Sequence, residues 1–139
     1  MNRAIFRGKR VITGEWEYGY YYRAKFKISD RTLCDYISTP RPAKRNKGSD
    51  VFMVQPKTIG QFTGFYDKNK KEIYEDDIIQ YYEKKLLITM SVLLGIKLKI
   101  LNKPFNNTFE YDNGDILYES GKIEIIGNTH DNPELINEI

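Results

Sequence analysis

His130 is the only histidine in the chain, and Cys34 the only cysteine. Paired with Cys34 or Ser120, that imidazole has the residue types of a Cys–His or Ser–His nucleophile. Its setting, Asn128-Thr129-His130-Asp131-Asn132, is instead a run of turn formers, so a surface or capping role is expected. Glu72, Glu75, Asp76 and Asp77 form an acidic cluster of the kind that binds hard cations. No EF-hand spacing accompanies it, and a solvated turn is the expectation, with Asp77 bracing the strand that follows through nearby backbone amides. Zinc-ligand spacing, a glycine-rich phosphate loop and a nucleophile elbow are all missing from the text. The chain is therefore expected to be a non-enzyme with no catalytic residue, no metal and no cofactor.

The second constellation suits docking. Trp16, Tyr18, Tyr20, Tyr21 and Tyr22 run into Arg23, Lys25 and Lys27. Rings beside cations stack bases and neutralise phosphates in single-strand binders. The even positions from Trp16 to Ile28 are apolar, the odd ones from Arg23 basic, which predicts a strand with one apolar and one basic face. Same-parity rings more often form a core, so packing or a subunit interface is the first expectation for them. Tyr21, of opposite parity, is the informative member. Arg41, Lys44, Arg45 and Lys47 form a basic loop that could steer the chain to an acidic partner. The candidate binding residues are Trp16, Tyr18, Tyr21, Arg23, Lys25, Arg41, Lys44 and Arg45.

The elements that position these residues read as mostly β. The chain has 139 residues, 40% hydrophobic and 14% aromatic, including 11 Tyr. That supports a core in which rings supply much of the buried area. The net charge of +3 permits attraction to nucleic acid without arguing for it. One cysteine excludes an internal disulfide and suits a reducing compartment. The N-terminus lacks the apolar region of a signal peptide. The most apolar stretch, Leu86 to Leu101, is broken by Gly95, Lys97 and Lys99 and is shorter than the ~20 residues of a membrane span. Two strands meeting near Gly95 are expected there.

Strands are also expected over Arg3 to Gly8, Lys9 to Thr13, Glu15 to Ile28, Val51 to Val54, Phe62 to Tyr66, around Ile73 and Ile78, and over Thr108 to Tyr111, Ile116 to Tyr118 and Ile123 to Ile126. Thr32 to Ser38 reads as strand or short helix. Asn69 is the expected left-handed residue of the turn at Asp67 to Lys70. Asn113-Gly114 predicts a hairpin. Asn132-Pro133 predicts a helical turn with an Asn cap. Thr39 to Asp50, with two prolines, is the clear loop and the expected boundary between residues 1–50 and 51–139.

Three blocks carry a family resemblance: Phe6-Arg7-Gly8-Lys9-Arg10 with Gly14-Glu15-Trp16 and Tyr18-Gly19; Gly60-Gln61-Phe62-Thr63-Gly64 through Asp67-Lys68-Asn69, Lys71 to Glu75 and Asp77-Ile78; and Ile126-Gly127-Asn128 with Asn132 to Leu135. In this order they resemble the YopX family of phage and prophage proteins, a family of unassigned biochemical role. The family pattern has glycine where Lys70 and Asp76 stand. The resemblance implies a phage accessory protein in the cytoplasm of a bacterial host. The fold class expected is mainly β: an SH3-like barrel over residues 51–126 with a C-terminal helical turn, and an additional N-terminal sheet portion. The expected partner is a host or phage protein. A nucleic-acid-binding module using Trp16–Lys27 and Arg41–Lys47 is the alternative, no membrane is involved, and a homo-oligomer is compatible with the tyrosine-rich strands.

Overall fold

A computed structural model describes residues 5–26, 32–40, 49–91, 93–102 and 111–136. The chain is mainly β, built from eleven antiparallel strands and four short 3-10 turns among these residues. It divides into two compact units, Met1–Phe62 and Thr63–Ile139.

The first unit contains β1 (Phe6–Lys9), β2 (Trp16–Lys25), β3 (Leu33–Pro40), β4 (Ser49–Val54), the turn η1 (Pro56–Thr58) and the start of β5 (Gly60–Tyr66). Its strand order is β4-β3-β2-β1-β5. Leu33 to Ser38 thus resolves as strand, and β4 pairs with β3. Directly opposed residues share a face, as do residues two apart on one strand. Phe6 faces Gly19, Gly8 faces Glu17, Tyr21 faces Ile37, Asp35 faces Val54 and Ile37 faces Phe52. This side is the closed one: Ile37 and Val54 are fully buried and Asp35 nearly so. Gly19 belongs to it, and a Cβ there would overlap the backbone oxygen of Ser38. Only glycine lets β2 and β3 approach this closely.

The second unit holds the rest of β5, β6 (Glu72–Tyr74), β7 (Asp77–Tyr81), β8 (Lys84–Ser91), β9 (Gly95–Ile100), β10 (Tyr111–Asn113) and β11 (Ile123–Asn128), with η2 (Gly114–Tyr118), η3 (Ser120–Lys122) and η4 (Pro133–Leu135). The sheet order is β10-β9-β8-β7-β11. Among the described residues no pairing joins its two ends into a closed barrel. Ile73, Ile79, Leu86, Ile88, Leu98, Ile100, Leu117 and Ile123 form its core. Burying each such side chain contributes about 1.5–3 kcal/mol. The two strands expected about Gly95 are β8 and β9.

Asp67 organises the turn between β5 and β6. It is buried, and its Oδ1 accepts the backbone N–H of Asn69 at 2.8 Å and of Lys71 at 2.9 Å. Its Oδ2 accepts the N–H of Ile125 at 3.2 Å, which ties the turn to β11. The left-handed residue is not Asn69 but Lys70, with φ 64°. The cause is local: the Asn69 N–H is committed to Asp67, so the reversal falls one residue later. Asp76 is left-handed too, with φ 74°. These are the two positions where the family pattern carries glycine.

Asn113-Gly114 does not make a hairpin. The Asn113 side chain accepts the Asp115 N–H at 3.0 Å and starts η2 instead, so Ile116, Leu117 and Tyr118 are helical. Gly114 is not among the glycines with positive φ, which a type I′ turn would require. The helical turn at Pro133 is present, but Asn132 does not cap it. Its Oδ1 accepts the Asn128 N–H instead. The expected Arg41–Lys47 loop and most of the expected Thr108–Tyr111 strand lie outside the described residues.

Candidate functional site

The other side of the first unit's sheet is open. Tyr18 faces Arg7 and Trp16 faces Lys9 across β1. Tyr20 faces Ser38, Tyr22 faces Tyr36 and Ala24 faces Cys34 across β3. Tyr36 in turn faces Met53, and Ser38 faces Val51, across β4. Tyr18, Tyr20 and Tyr22 retain 40%, 44% and 40% of their surface, and Val51 48%. Tyr22 and Tyr36 stack, with centroids 5.3 Å apart and planes 21° from parallel. Partial burial, with Cys34 beside it, raises the Tyr36 phenol pKa above its usual value. The Arg7 guanidinium lies 4.4 Å, and the Lys9 ammonium 5.4 Å, from the Trp16 ring centre.

The expectation that these rings form the core fails, although Arg23 and Lys25, of the cationic parity, are exposed as expected. Period two announces two faces; it does not say which one is covered. The covered face is the one carrying Gly8, Gly19, Ile37 and Val54, where small or aliphatic residues let other chain segments approach. Tyr21 lies on that closed side. It packs on Phe6 at 5.7 Å, and its hydroxyl donates to Asp35 Oδ1 at 2.5 Å. That hydrogen bond is the main reason its phenol pKa is raised. Arg23 Nε lies 3.1 Å from the same carboxylate. Lys25, opposite Leu33, shares the side of Tyr21 and Arg23. Of the candidate residues, Trp16 and Tyr18 therefore belong to the open face, whereas Tyr21, Arg23 and Lys25 lie behind it. Arg41, Lys44 and Arg45 are outside the described residues.

Charge is distributed unequally between the faces. Among the described strand residues of this unit the carboxylates are Glu17, Asp35 and Asp50. Their partners Gly8, Arg23 and Thr39 place all three on the closed side. The strands of the open face carry the half-buried Lys9, the Arg7 side chain buried at 6% exposure, and no acid. Sequence reasoning missed Tyr36, Val51, Met53, Arg7 and Lys9 as members of this surface, because only register brings them beside the tyrosines. A signal existed in the alternation of Cys34, Tyr36 and Ser38, which a strand reading of that stretch would have used.

Two other places gather side chains capable of chemistry. His130 Nε2 lies 3.1 Å from Asp76 Oδ2, both half-buried, while Asn128 Oδ1 accepts the N–H groups of His130 and Asp131. The pair links two turns. Asp77 Oδ2 accepts the Tyr74 N–H at 2.7 Å, so it braces the preceding strand rather than the following one. Among the described residues no three His, Cys, Asp or Glu side chains converge as metal ligands. On η2 and η3, the Tyr81 hydroxyl donates to Glu119 Oε2 at 2.6 Å, and Lys122 Nζ lies 3.2 Å from Glu119 Oε1. The Tyr81 bond, then Lys122, holds the Glu119 pKa below its ordinary value. Among the described residues no helix is long and apolar enough to cross a membrane.

The chain was compared with known proteins. A family model described as YopX protein matches residues 5–137. No curated protein matches. Among solved structures, the crystal structure of protein EF1440 from Enterococcus faecalis is similar at 23% identity, covering 98% of this chain and 99% of that one, with a TM-score of 0.49.

Proposed function

The chain belongs to the YopX family, and from that premise we propose that it is a non-enzymatic, phage- or prophage-encoded accessory protein. It works in the cytoplasm of a bacterial host by docking a macromolecule on the open tyrosine face of β2, β3 and β4. One observation carries the reading: Tyr18, Tyr20 and Tyr22 stand in a row, each about two-fifths exposed, on a sheet whose other side is closed. Contiguous exposed rings cost solvation and mark interaction surfaces. The test is affinity capture from host lysate with the unmodified chain, with Tyr20→Ala/Tyr22→Ala and with Tyr118→Ala, the last removing an exposed ring of the second unit. Material recovered by the first and third but not by the second supports the face. Equal recovery by all three removes it.

Pairing of two copies through the same surface is the second reading, favoured by the apolar margin that Val51 and Met53 add to the tyrosines. Light scattering separates a monomer from a dimer, and loss of the dimer in Tyr20→Ala/Tyr22→Ala would locate the contact. The SH3-like reading of residues 51–126 also stands as a proposal. The antiparallel run β9-β8-β7-β11 supports it, and an experimental structure pairing β10 with β11 would establish closure.

A further inference from the structure

We infer that the occupant of the tyrosine face is a single-stranded nucleic acid; the inference rests on the docking reading and names its partner. Three features of the face lead to it. The first is spacing. Tyr18, Tyr20 and Tyr22 alternate along β2, so their Cα atoms follow one another at about 6.7 Å, twice the rise of a strand. Tyr36 adds a ring one strand across, already stacked on Tyr22. An extended single strand can lay successive unpaired bases on such a row, whereas a duplex hides its base faces from it.

The second feature is charge. The strands of this face contribute the half-buried Lys9, the buried Arg7 and no carboxylate, while Glu17, Asp35 and Asp50 all fall on the closed side. A protein partner gains little from that segregation, since the centre of a protein interface is depleted of charge. A polyanion gains attraction from Lys9 and meets no carboxylate among the described strand residues of this face. Third, the cations sit at one end of the tyrosine row. Arg7 is opposite Tyr18 and Lys9 opposite Trp16, both over the indole, leaving the rings from Tyr20 to Tyr22 for bases. The backbone therefore enters near Trp16, and the bases stack toward Tyr22. Apart from Arg7, whose guanidinium is buried over the Trp16 ring, none of the described strand residues of this face carries a planar amide or paired donors, so stacking is expected without strong sequence preference.

The experiment uses the full chain and fluorescently labelled oligothymidine and oligouridine, read by anisotropy, with a duplex of equal length beside them. Single strands bind and the duplex binds at least tenfold more weakly. Tyr20→Ala weakens single-strand affinity about tenfold, and Tyr20→Ala/Tyr22→Ala about a hundredfold. Tyr20→Phe/Tyr22→Phe keeps it within about twofold, because the ring stacks and the hydroxyl does not, and Tyr118→Ala leaves it unchanged. The logarithm of affinity falls against the logarithm of salt with a slope of about −0.7, the value for one phosphate neutralised on a single strand, at Lys9. Far-ultraviolet dichroism verifies that each variant is folded. No binding of either single strand, a preference for duplex, or an equal loss in Tyr118→Ala overturns the inference. If single strands fail but a protein captured from lysate is lost only in Tyr20→Ala/Tyr22→Ala, the nucleic-acid occupant is refuted and the docking face stands. If neither oligonucleotide nor lysate material depends on these rings, both fall.

Discussion

Among the described residues Lys70, Asp76 and Tyr82 occupy left-handed backbone conformations that their side chains disfavour. Lys70 and Asp76 have φ of 64° and 74°, where an L-residue other than glycine costs roughly 1–2 kcal/mol. Lys70 is exposed and only its backbone serves the turn, through its N–H to the Asp67 oxygen at 3.0 Å. Lys70→Gly is expected to stabilise the chain by about 1 kcal/mol after the entropy glycine adds to the unfolded state, read as a higher urea midpoint. Asp76→Gly gains less, because it forfeits the His130 contact. Glu119 provides a different residue-scale test. Its carboxyl pKa is lowered by the Tyr81 hydroxyl bond first and Lys122 next. A depressed folded-state value means stability that is present above the unfolded carboxylate range and lost as pH falls through the folded value. Tyr81→Phe should move the Glu119 titration back upward toward the ordinary carboxylate range, followed by carboxyl NMR. An unchanged titration would assign the shift to Lys122.

At the scale of elements, two joints hold strands in place. In Gly19 the joint is a missing side chain: a Cβ there would overlap the Ser38 carbonyl oxygen, so Gly19→Ala must push β3 away from β2. The expected cost is about 2–3 kcal/mol, measured by denaturant unfolding. In Asp67 the joint is a buried carboxylate that serves Asn69, Lys71 and Ile125. Asp67→Ala strips an acceptor from three backbone donors and should cost about 3 kcal/mol or more. It should also speed amide exchange at Ile125, on a strand far from it in sequence. Both joints were partly legible. Glycine among aromatics signals close approach, and Asp at the head of a turn signals a side-chain bond to the backbone. What could not be read was the distant donor, Ile125, which reaches Asp67 only after β11 is laid beside β7.

At the scale of the whole molecule, the two sides of the first unit's sheet should answer differently to truncation. Ile37→Ala opens a cavity on the closed side and should cost about 2–5 kcal/mol. Tyr20→Ala/Tyr22→Ala removes exposed rings one residue out of phase and should leave the melting temperature within a few degrees of the parent while abolishing docking, the signature of a surface kept for a partner. If both variants melt alike, the tyrosines are structural and the docking reading loses its foundation.

The strand content, the turn positions around Gly95 and Asp67 and the family kinship were written in local text. Alternation, turn formers and block order are properties of neighbouring residues. The sequence also showed that even and odd positions of β2 differ in chemistry. It could not show which side the rest of the chain would cover, because covering depends on residues far away along the chain. Nor could it turn Asn113-Gly114 into a helical turn, or place Tyr36 beside Tyr22 and Met53 beside Tyr36. Register across strands decided all of these, and register is set by the summed fit of buried side chains such as Ile37 and Val54 rather than by any one stretch.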